Sequence, residues 1–441
     1  MFLPEGPLTC IRMLEQAGFT AYAVGGCVRD SLLGLMPHDY DLCTDAAPEE
    51  IARVFSGYSL VRSGEKHGTI GVVMDHTVYE ITTFRTEGGY RDSRHPDWVR
   101  FLPTVEEDLA RRDFTVNAMA YSPAQGYIDP WGGREDLQNR ILRAVGDPAT
   151  RFTEDALRIL RGVRFAVRYG LMPTHQTEQA MTTLSPLMEK LARERVYDEL
   201  CKLLPLVTPQ DLLRFAPVLT AVIPELAPCV GFDQMNPHHI HDIFTHTAHV
   251  TGNIAPDPVL RWAALLHDVG KPVCFTLDET GCGHFLGHAK ESARMAEEIL
   301  RRLKAPTALR EQVVLLIEQH MTLLPPDKKI LRRRLGKLGE QNLRRLLALQ
   351  QADHAATRPD RTDSPEFAAV QTLIEELLQE NACLTVRDLA IHGGDLLAMG
   401  FAPGPALGTC LSALLEQVQD EMLPNEKDAL LSAAGLIMKE I

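Results

Sequence analysis

The sequence predicts an α+β protein in which a mixed α/β domain precedes a longer helical region. Up to about residue 145, short apolar runs alternate with turn residues, as in a domain of strands and short helices. From about residue 151, apolar side chains recur at helical spacing instead. The length of 441 residues exceeds what a single hydrophobic core supports and predicts roughly two to four domains.

Charge and cysteine usage restrict the class of protein. There are 45 Lys and Arg against 59 Asp and Glu, giving a net charge of −14, so any contact with nucleic acid must come from local basic patches. The nine cysteines are scattered singly with no CxxC pair and no secretory segment before them, which predicts a cytoplasmic protein without a disulfide framework. No apolar run approaches the roughly 18 residues needed to cross a membrane.

The first region contains two aspartates one residue apart. AYAVGG (21–26) is predicted as a strand, VRDSLLG (28–34) as a short helix, and DYDLCT (39–44) as a second strand. Alternation along that strand puts Asp39 and Asp41 on the same face. Two carboxylates so close repel each other unless a cation lies between them, and a divalent metal is the natural partner.

The residues around this pair suit a nucleoside triphosphate. Gly26 has no side chain, so phosphates could approach the backbone there, and Arg29 could meet their charge. Two Mg²⁺ ions held by such carboxylates would activate an attacking hydroxyl and support a leaving pyrophosphate. A bare DxD is more often an acidic surface turn, so the adjoining GGxVRDxLLG run is what favours the catalytic interpretation.

This combined pattern resembles the active-site signature of the class II tRNA nucleotidyltransferase and bacterial poly(A) polymerase family. The resemblance extends over roughly residues 20 to 355. It implies a polymerase-β-like nucleotidyltransferase head with a mixed sheet, in which Asp39 and Asp41 bind Mg²⁺. It also implies tRNA, ATP and CTP as partners, and it leaves the oligomeric state open.

A third acidic group and a nucleotide-binding motif follow. HTVYEITTFR (76–85) is predicted as a strand on which Glu80 either faces the aspartate pair or is an ordinary exposed residue, with equal weight. The run Arg111, Arg112 and Asp113 resembles the RRD motif of the family, which implies that all three bind the incoming nucleotide. Asp113 is a rival to Glu80 for the third acid, and a charged helix start is the structural alternative.

A motif for choosing the base lies in RFTEDALRILRGVRFAVRYG (151–170), predicted as one helix capped by Thr153. Asp155 and Arg158, three residues apart, would be neighbours on its surface. A carboxylate acceptor beside a guanidinium donor matches the hydrogen-bonding edges of cytosine and adenine and mismatches those of uracil and guanine. A surface salt bridge is the alternative.

The same segment resembles the EDxxR motif with which the family reads bases through amino acids, so the resemblance implies this role for Asp155 and Arg158. Arg161 continues a basic stripe suited to phosphates. RERVYDEL (193–200) resembles the last family motif, which implies that it braces the neck.

Ten of the sixteen histidines lie between residues 238 and 354. RWAALLHDVGKP (261–272) resembles the HD phosphohydrolase signature, which implies a metal site with phosphatase or 2′,3′-cyclic phosphodiesterase activity. A mixture of imidazole and carboxylate ligands suits Mn²⁺, Fe²⁺, Ni²⁺ or Co²⁺. The implied ligands are His246, His267, Asp268 and Asp353, with His288 and His320 for a second ion.

The expected domains are a nucleotidyltransferase head (1–145), a helical neck (146–225), an HD domain (226–356) and a helical tail (357–441). The expected function is addition of C, C and A to tRNA 3′ ends from CTP and ATP without a nucleic-acid template. A poly(A) polymerase, an enzyme adding only C or only A, and an HD phosphohydrolase with a merely nucleotide-binding head are the rivals. The basic segment 328–345 either holds RNA or is a solvated helix face.

Overall fold

The computed structural model describes residues 1–88, 98–357, 365–380 and 382–438. The chain divides into two compact units. The first is Met1–Ala227 with Arg302–Ala305, and the second is Pro228–Arg301 with Pro306–Ile441. The change at residues 227 and 228 lies close to the boundary predicted between neck and HD domain. The finer division into four domains stays a prediction.

The first unit begins with the predicted mixed sheet. Seven strands form it in the order β3-β4-β5-β2-β1-β8-β9, with β2 and β5 parallel and the other neighbours antiparallel. Two-stranded pairs β6–β7 and β10–β11 accompany it. The strands are β1 Ala21–Val24, β2 Leu42–Thr44, β3 Ser59–Val61, β4 Thr69–Met74, β5 Thr77–Thr83, β6 Arg85–Gly88, β7 Trp98–Phe101, β8 Ala120–Ser122, β9 Gly126–Ile128, β10 Ile141–Leu142 and β11 Met172–Pro173.

Helices pack on this sheet, and the chain after it is almost entirely helical. The predicted α+β class is therefore confirmed. Tyr22 and Val24 of β1 pack with Phe84 and Leu109 in a buried apolar cluster under the sheet. The helices of the first unit are α1 Glu5–Gln16, α2 Gly26–Leu32, α3 Pro48–Val54, α4 Val105–Ala110, α5 Gly133–Gln138, α6 Pro148–Glu154, α7 Leu157–Tyr169, α8 His175–Leu184, α9 Arg193–Leu203, α10 Pro209–Arg214 and α11 Ala216–Val222.

The predicted strand 39–44 is too long. Strand β2 starts at Leu42, so Asp39 and Asp41 precede it instead of alternating along it. The ladder between β1 and β2 ends because Gly25 turns the chain away at a φ of +76°. A last hydrogen bond from the Val24 amide to the Asp41 carbonyl, 3.0 Å long, closes the pair.

The predicted single helix over 151–170 is also wrong. Helix α6 ends at Glu154 and α7 begins at Leu157, because Asp155 is extended with φ −143° and ψ 102°. Its carboxylate accepts a hydrogen bond from the Leu157 amide at 3.0 Å, which starts the next helix. Asp147, and not Thr153, caps α6, with its side chain accepting from the Thr150 amide.

In its described residues the second unit is helical apart from loops and one short hairpin, β12 Thr276–Leu277 with β13 Gly283–His284. Leu396, Leu414 and Leu430 belong to the apolar core of its last part. None of the helices in the described ranges is long and apolar enough to cross a membrane. Its helices are α12 Ile243–Asn253, α13 Pro258–Leu266, α14 Lys271–Cys274, α15 His288–Arg302, α16 Thr307–Gln319, α17 Lys328–Leu338, α18 Glu340–Thr357, α19 Pro365–Gln379, α20 Gly393–Ala398, α21 Pro405–Gln419 and α22 Lys427–Ile437.

Candidate functional site

An acidic edge forms where β2 meets β5 in the first unit. Leu42 lies opposite Ile81, so Asp41 and Glu80, the residues just before them, come side by side. Desolvation, and then the charges of Asp39 and Glu80, raise the pKa of Asp41, while Arg112 lowers it. Three carboxylates therefore share one edge, and their mutual repulsion is what a divalent cation would relieve.

Asp113, the rival for the third acid, has other partners. It is buried, and it forms an ion pair with Arg161 at 2.7 Å and accepts a hydrogen bond from the Asn117 amide at 3.0 Å. Burial would raise the pKa of Asp113, but Arg161 and the hydrogen bonds lower it to about 2. This carboxylate is satisfied within the protein, which favours Glu80 as the third acid.

Arg111 and Arg112 share one buried acceptor. The carboxylate of Asp108, on α4, pairs with Arg111 at 2.9 Å and with Arg112 at 3.4 Å. Burial opposes ionisation of Asp108, but the two guanidinium charges and the backbone amide of Arg85 hold its pKa below the usual value. The two arginines are thereby oriented before any nucleotide arrives.

A cleft of about 420 Å³ brings most of the predicted residues together. Nine of the eleven predicted in this unit line it, while Asp39 and Glu80 do not. The cleft therefore joins one aspartate of the acidic edge to an arginine-rich wall. Its predicted lining residues are Gly26, Arg29, Asp41, Arg111, Arg112, Asp113, Asp155, Arg158 and Arg161.

Gly25 and Arg29 both serve contacts within the protein. A Cβ on Gly25 would lie 2.6 Å from the Arg112 guanidinium, so the glycine makes room for that side chain. Arg29 is buried, donates to Asp30, Asn117 and Tyr169, and lies over the Tyr169 ring at 4.2 Å. Most of its donors are used inside the protein, and its role as a phosphate ligand stays a prediction.

Asp155 and Arg158, predicted to read the base, lie across the helix break and not along one helix. The Asp155 carboxylate bonds Arg195 of α9 at 2.9 Å. Arg158 donates to the carbonyl of Arg111 at 2.9 Å and pairs with Glu154 at 2.8 Å. Both side chains are held by further residues and both line the cleft, so the alternative of a simple surface pair between them does not apply.

The sequence interpretation missed several residues that line or support this cleft. They are Asp108, Asn117, Phe165 and Arg195. The spacing of Asp108 from Arg111 and Arg112, three and four residues, was an available signal because side chains so placed are neighbours on a helix. Asn117 and Arg195 gave no comparable signal, since their partners follow from the tertiary fold.

The second unit gathers all six predicted HD ligands into one buried cluster. Asp268 is its centre: its Oδ2 lies 3.1 Å from His267 Nε2 and 3.6 Å from His246 Nε2, and its Oδ1 lies 3.4 Å from His288 Nε2 and 4.0 Å from His320 Nε2. Asp353 Oδ1 lies 2.9 Å from His246 Nε2. Two groups, His246–His267–Asp268 and Asp268–His288–His320, could each hold an ion and would share Asp268.

Backbone carbonyls fix the orientation of three of these rings. The Nδ1 atoms of His267, His288 and His320 donate to the carbonyls of Ala264, Phe285 and Ile317 at 2.6 to 2.8 Å. Each Nε2 is then left as an acceptor directed to the cluster, as in a metal ligand. Both ring nitrogens of His246 and the Nε2 of His267 are buried without a well-directed hydrogen bond, which fits atoms aimed at a common ion.

Burial keeps His288 and His320 in the neutral form that binds metal. At His267, burial is outweighed by the charges and hydrogen bonds of its neighbours, Asp268 foremost, which raise its pKa. Burial lowers the pKa of His320 to about 4 and also lowers that of His288, so both are neutral near pH 7. Burial alone would raise the pKa of Asp268, but the charges of His267 and Lys271 hold it well below its usual range. The cluster opens into a cavity of about 580 Å³.

Both units match families of known proteins. Residues 21–143 match the family model described as the poly A polymerase head domain, and residues 280–434 match tRNA nucleotidyltransferase domain 2. The chain is 35% identical over 440 residues to a CCA-adding enzyme of Limosilactobacillus fermentum, covering 99% of this chain and 98% of the relative. The chain belongs to the CCA-adding enzyme family.

Other members of the CCA-adding enzyme family agree with this. The Levilactobacillus brevis CCA-adding enzyme is 35% identical, over 96% of this chain and 95% of its own. The Bacillus stearothermophilus CCA-adding enzyme, solved in complex with CTP, matches with a TM-score of 0.74 and 29% identity over 99% of this chain and 98% of its own. The Thermotoga maritima enzyme shares the fold, with a TM-score of 0.62 and 20% identity over 97% of this chain and 94% of its own.

Proposed function

We propose that this member of the CCA-adding enzyme family adds C, C and A to the 3′ ends of tRNA, using CTP and ATP and no nucleic-acid template. The observation that carries the proposal is the cleft in which Asp41 of the acidic edge meets the arginine-rich wall and the pair Asp155 and Arg158. A full-length relationship to enzymes named for this activity supports it. We propose the cytoplasm as its compartment.

The acidic edge fits a divalent ion, most simply Mg²⁺. Asp39, Asp41 and Glu80 offer hard oxygen ligands, and the register of β2 and β5 sets Asp41 and Glu80 side by side. Burial and the charges of Asp39 and Glu80 raise the pKa of Asp41, a cost that a bound cation would relieve. Bound ions would lower the pKa of the attacking hydroxyl and stabilise the leaving pyrophosphate. We assign Glu80, and not Asp113, as the third ligand.

The arginine-rich wall orients the nucleotide. Arg111 and Arg112 are held by Asp108, so they meet phosphate or ribose oxygens without losing much side-chain entropy. Asp155 accepts from the exocyclic amine of cytosine or adenine, and Arg158 donates to the adjacent ring nitrogen. Uracil and guanine present the reverse pattern and would leave both protein groups unpaired in a closed site, which discriminates strongly.

Primer extension tests this function. Purified protein is incubated with tRNA lacking its terminal CCA, with tRNA ending in C or CC, and with a generic RNA, each with one labelled nucleotide at a time. The proposal predicts C addition to tRNA lacking CCA and to tRNA ending in C, and a single A on tRNA ending in CC. Long A tracts on generic RNA would identify a poly(A) polymerase, and incorporation of only C or only A would identify a partial enzyme.

We also propose a metal-dependent phosphohydrolase in the second unit, because four buried histidines converge on Asp268 and Asp353 contacts two of them. The donor set suits Mn²⁺, Fe²⁺, Ni²⁺ or Co²⁺. Such ions would supply an activated water for attack on a phosphoester. Lys271, which pairs with Asp268 at 2.8 Å and donates to Gln234 at 2.9 Å, adds a positive charge at the cavity wall for a phosphate.

Phosphate release separates this activity from nucleotide addition. Protein reloaded with each metal is assayed on p-nitrophenyl phosphate and on a 2′,3′-cyclic nucleotide. Asp268→Ala should lose hydrolysis and keep CCA addition, whereas Asp41→Asn should do the reverse. His392→Ala, an exposed histidine of the tail, is the control. Full hydrolysis by the Asp268 variant would show that this cluster is not a hydrolytic site and would leave the proposal of CCA addition untouched.

A further inference from the structure

We infer that Arg195 is a positioning residue that sets base selectivity by holding the Asp155 carboxylate in its reading orientation. This inference rests on the proposed base-reading role of Asp155. Arg195 lies on α9, forty residues further along the chain, and lines the same cleft. It therefore reaches the nucleotide site from an element whose sequence motif implied only a bracing role.

The Asp155 carboxylate is restrained at both oxygens. Its Oδ1 accepts from the Leu157 amide at 3.0 Å, and its Oδ2 accepts from the Arg195 guanidinium at 2.9 Å. The side chains of Arg195 and Asp155 are 24% and 15% exposed, so the pair is partly shielded from water. A charge-assisted hydrogen bond in such a place fixes geometry as well as contributing energy.

The backbone explains why Asp155 needs this second restraint. Asp155 has an extended backbone at the break between α6 and α7. Its side chain is therefore not restricted by packing on the preceding turn, as a side chain within a helix would be. The Leu157 amide holds one oxygen, but a carboxylate bonded at one oxygen only can still rotate about its terminal torsion. Arg195 removes that freedom, so the carboxylate keeps one orientation in the wall of the cleft.

Helix α9 is well suited to hold Arg195 in place. Glu199, one turn further along α9, forms a buried ion pair with Arg164 of α7 at 2.6 Å. Residues four apart share a helix face, so one face of α9 contacts α7 through Glu199 and the break before α7 through Arg195. The Glu199–Arg164 pair fixes α9 against α7. The Arg195–Asp155 pair then holds the Asp155 carboxylate relative to α9.

A loosened Asp155 should accept mismatched bases better. The matched acceptor for the exocyclic amine would be less well directed, so binding of CTP and ATP weakens, while UTP and GTP meet a carboxylate that can turn away. For Arg195→Ala we expect the ratio of kcat/KM for CTP over UTP to fall about tenfold, the size expected for one charge-assisted hydrogen bond. Most of the change should be in KM, because the acidic edge is untouched.

The test compares Arg195→Ala, Arg195→Gln and Arg195→Lys in the full-length protein, measuring all four nucleotides on one tRNA primer. The lysine variant keeps a charge for Asp155 without the planar fork and should recover part of the lost selectivity. Glu199→Gln is the structural control: it should lower the melting temperature and keep the base ratio. Arg193→Ala, on the same helix and bonded only to a backbone carbonyl at 2.7 Å among its described contacts, should change neither.

Comparison with Asp155→Ala distinguishes the positioning role of Arg195 from the base-reading role of Asp155. If Arg195 acts through Asp155, the double variant should be no less selective than Asp155→Ala alone. Wild-type selectivity in all three Arg195 variants, with selectivity lost in Asp155→Ala, would overturn the inference and keep base reading. Wild-type selectivity in Asp155→Ala would overturn base reading itself. A selectivity loss in Glu199→Gln equal to that in Arg195→Ala would show a general effect of the neck and would also overturn the inference.

Discussion

Replacing Asp113 with Asn tests whether the buried ion pair with Arg161 organises the nucleotide cleft. The change keeps the size of the side chain and leaves an oxygen that can still accept from the amides of Phe114 and Asn117. It removes the charge that Arg161 meets at 2.7 Å and puts an amide donor opposite a guanidinium donor. Arg161 then loses its fixed position in the wall of the cleft.

The expected loss of stability follows from the pKa of Asp113. Its displacement from 3.8 to about 2 corresponds to about 2 kcal/mol in favour of the ionised form. Arg161 is 35% exposed, and solvent screening reduces the effect to about 1–2 kcal/mol. Because the pKa of the folded state is depressed, this contribution is fully present above about pH 4 and is lost as the pH falls toward 2.

Hydrogen exchange of the intact protein measures the local effect. Amides of α7 and of residues 114–117 should exchange roughly ten times faster in Asp113→Asn at neutral pH, and kcat/KM for CTP should fall. Asp136→Asn is the matched control, since Asp136 is equally buried and pairs with Arg143 at 3.0 Å outside the cleft. It should lose stability and keep its KM for CTP. Unchanged exchange and unchanged kinetics in Asp113→Asn would refute the organising role of the pair.

Three further changes have defined outcomes. Glu80→Gln should reduce nucleotide addition more than about a hundredfold with little change in melting temperature, since it removes a ligand for the divalent ion; near-normal addition would show that Glu80 is not the third acid. Gly133→Ala should lower the free energy of unfolding by about 1–3 kcal/mol in denaturant titrations, because its Cβ would meet the Thr115 carbonyl oxygen at 2.1 Å; unchanged stability would contradict this packing. His320→Ala should retain one of two metal ions per chain by elemental analysis, and retention of both would exclude His320 as a ligand.

The sheet and the acidic edge were predictable because their signals are local. A continuous apolar run marks β1, alternation marks β5, and Gly25 supplies a turn that other residues adopt only with strain. The strand boundary before Leu42 was not predictable, since it depends on where the partner strand turns away. Local periodicity therefore placed the two aspartates correctly in space for a reason that was partly wrong.

The break between α6 and α7 shows more clearly what local sequence signals cannot predict. Residues 151–170 have helical spacing throughout, yet Asp155 leaves the helix because its carboxylate gains the Leu157 amide and the Arg195 guanidinium. One of these partners is two residues away and the other is forty. A helix propensity summed along the chain cannot include the second partner, so the position of the Asp155 carboxylate follows only from the tertiary structure.

The basic segment 328–345 shows that a local count of charges also fails to predict the charge that a surface presents. Its eight basic residues and one acid predict a surface that could hold RNA. Five of the eight form ion pairs, among them Arg333 with Asp420 at 2.5 Å and Arg345 with Asp257 at 2.7 Å. These acids come from distant parts of the second unit, so a count along the sequence overstates the field that an RNA backbone would meet.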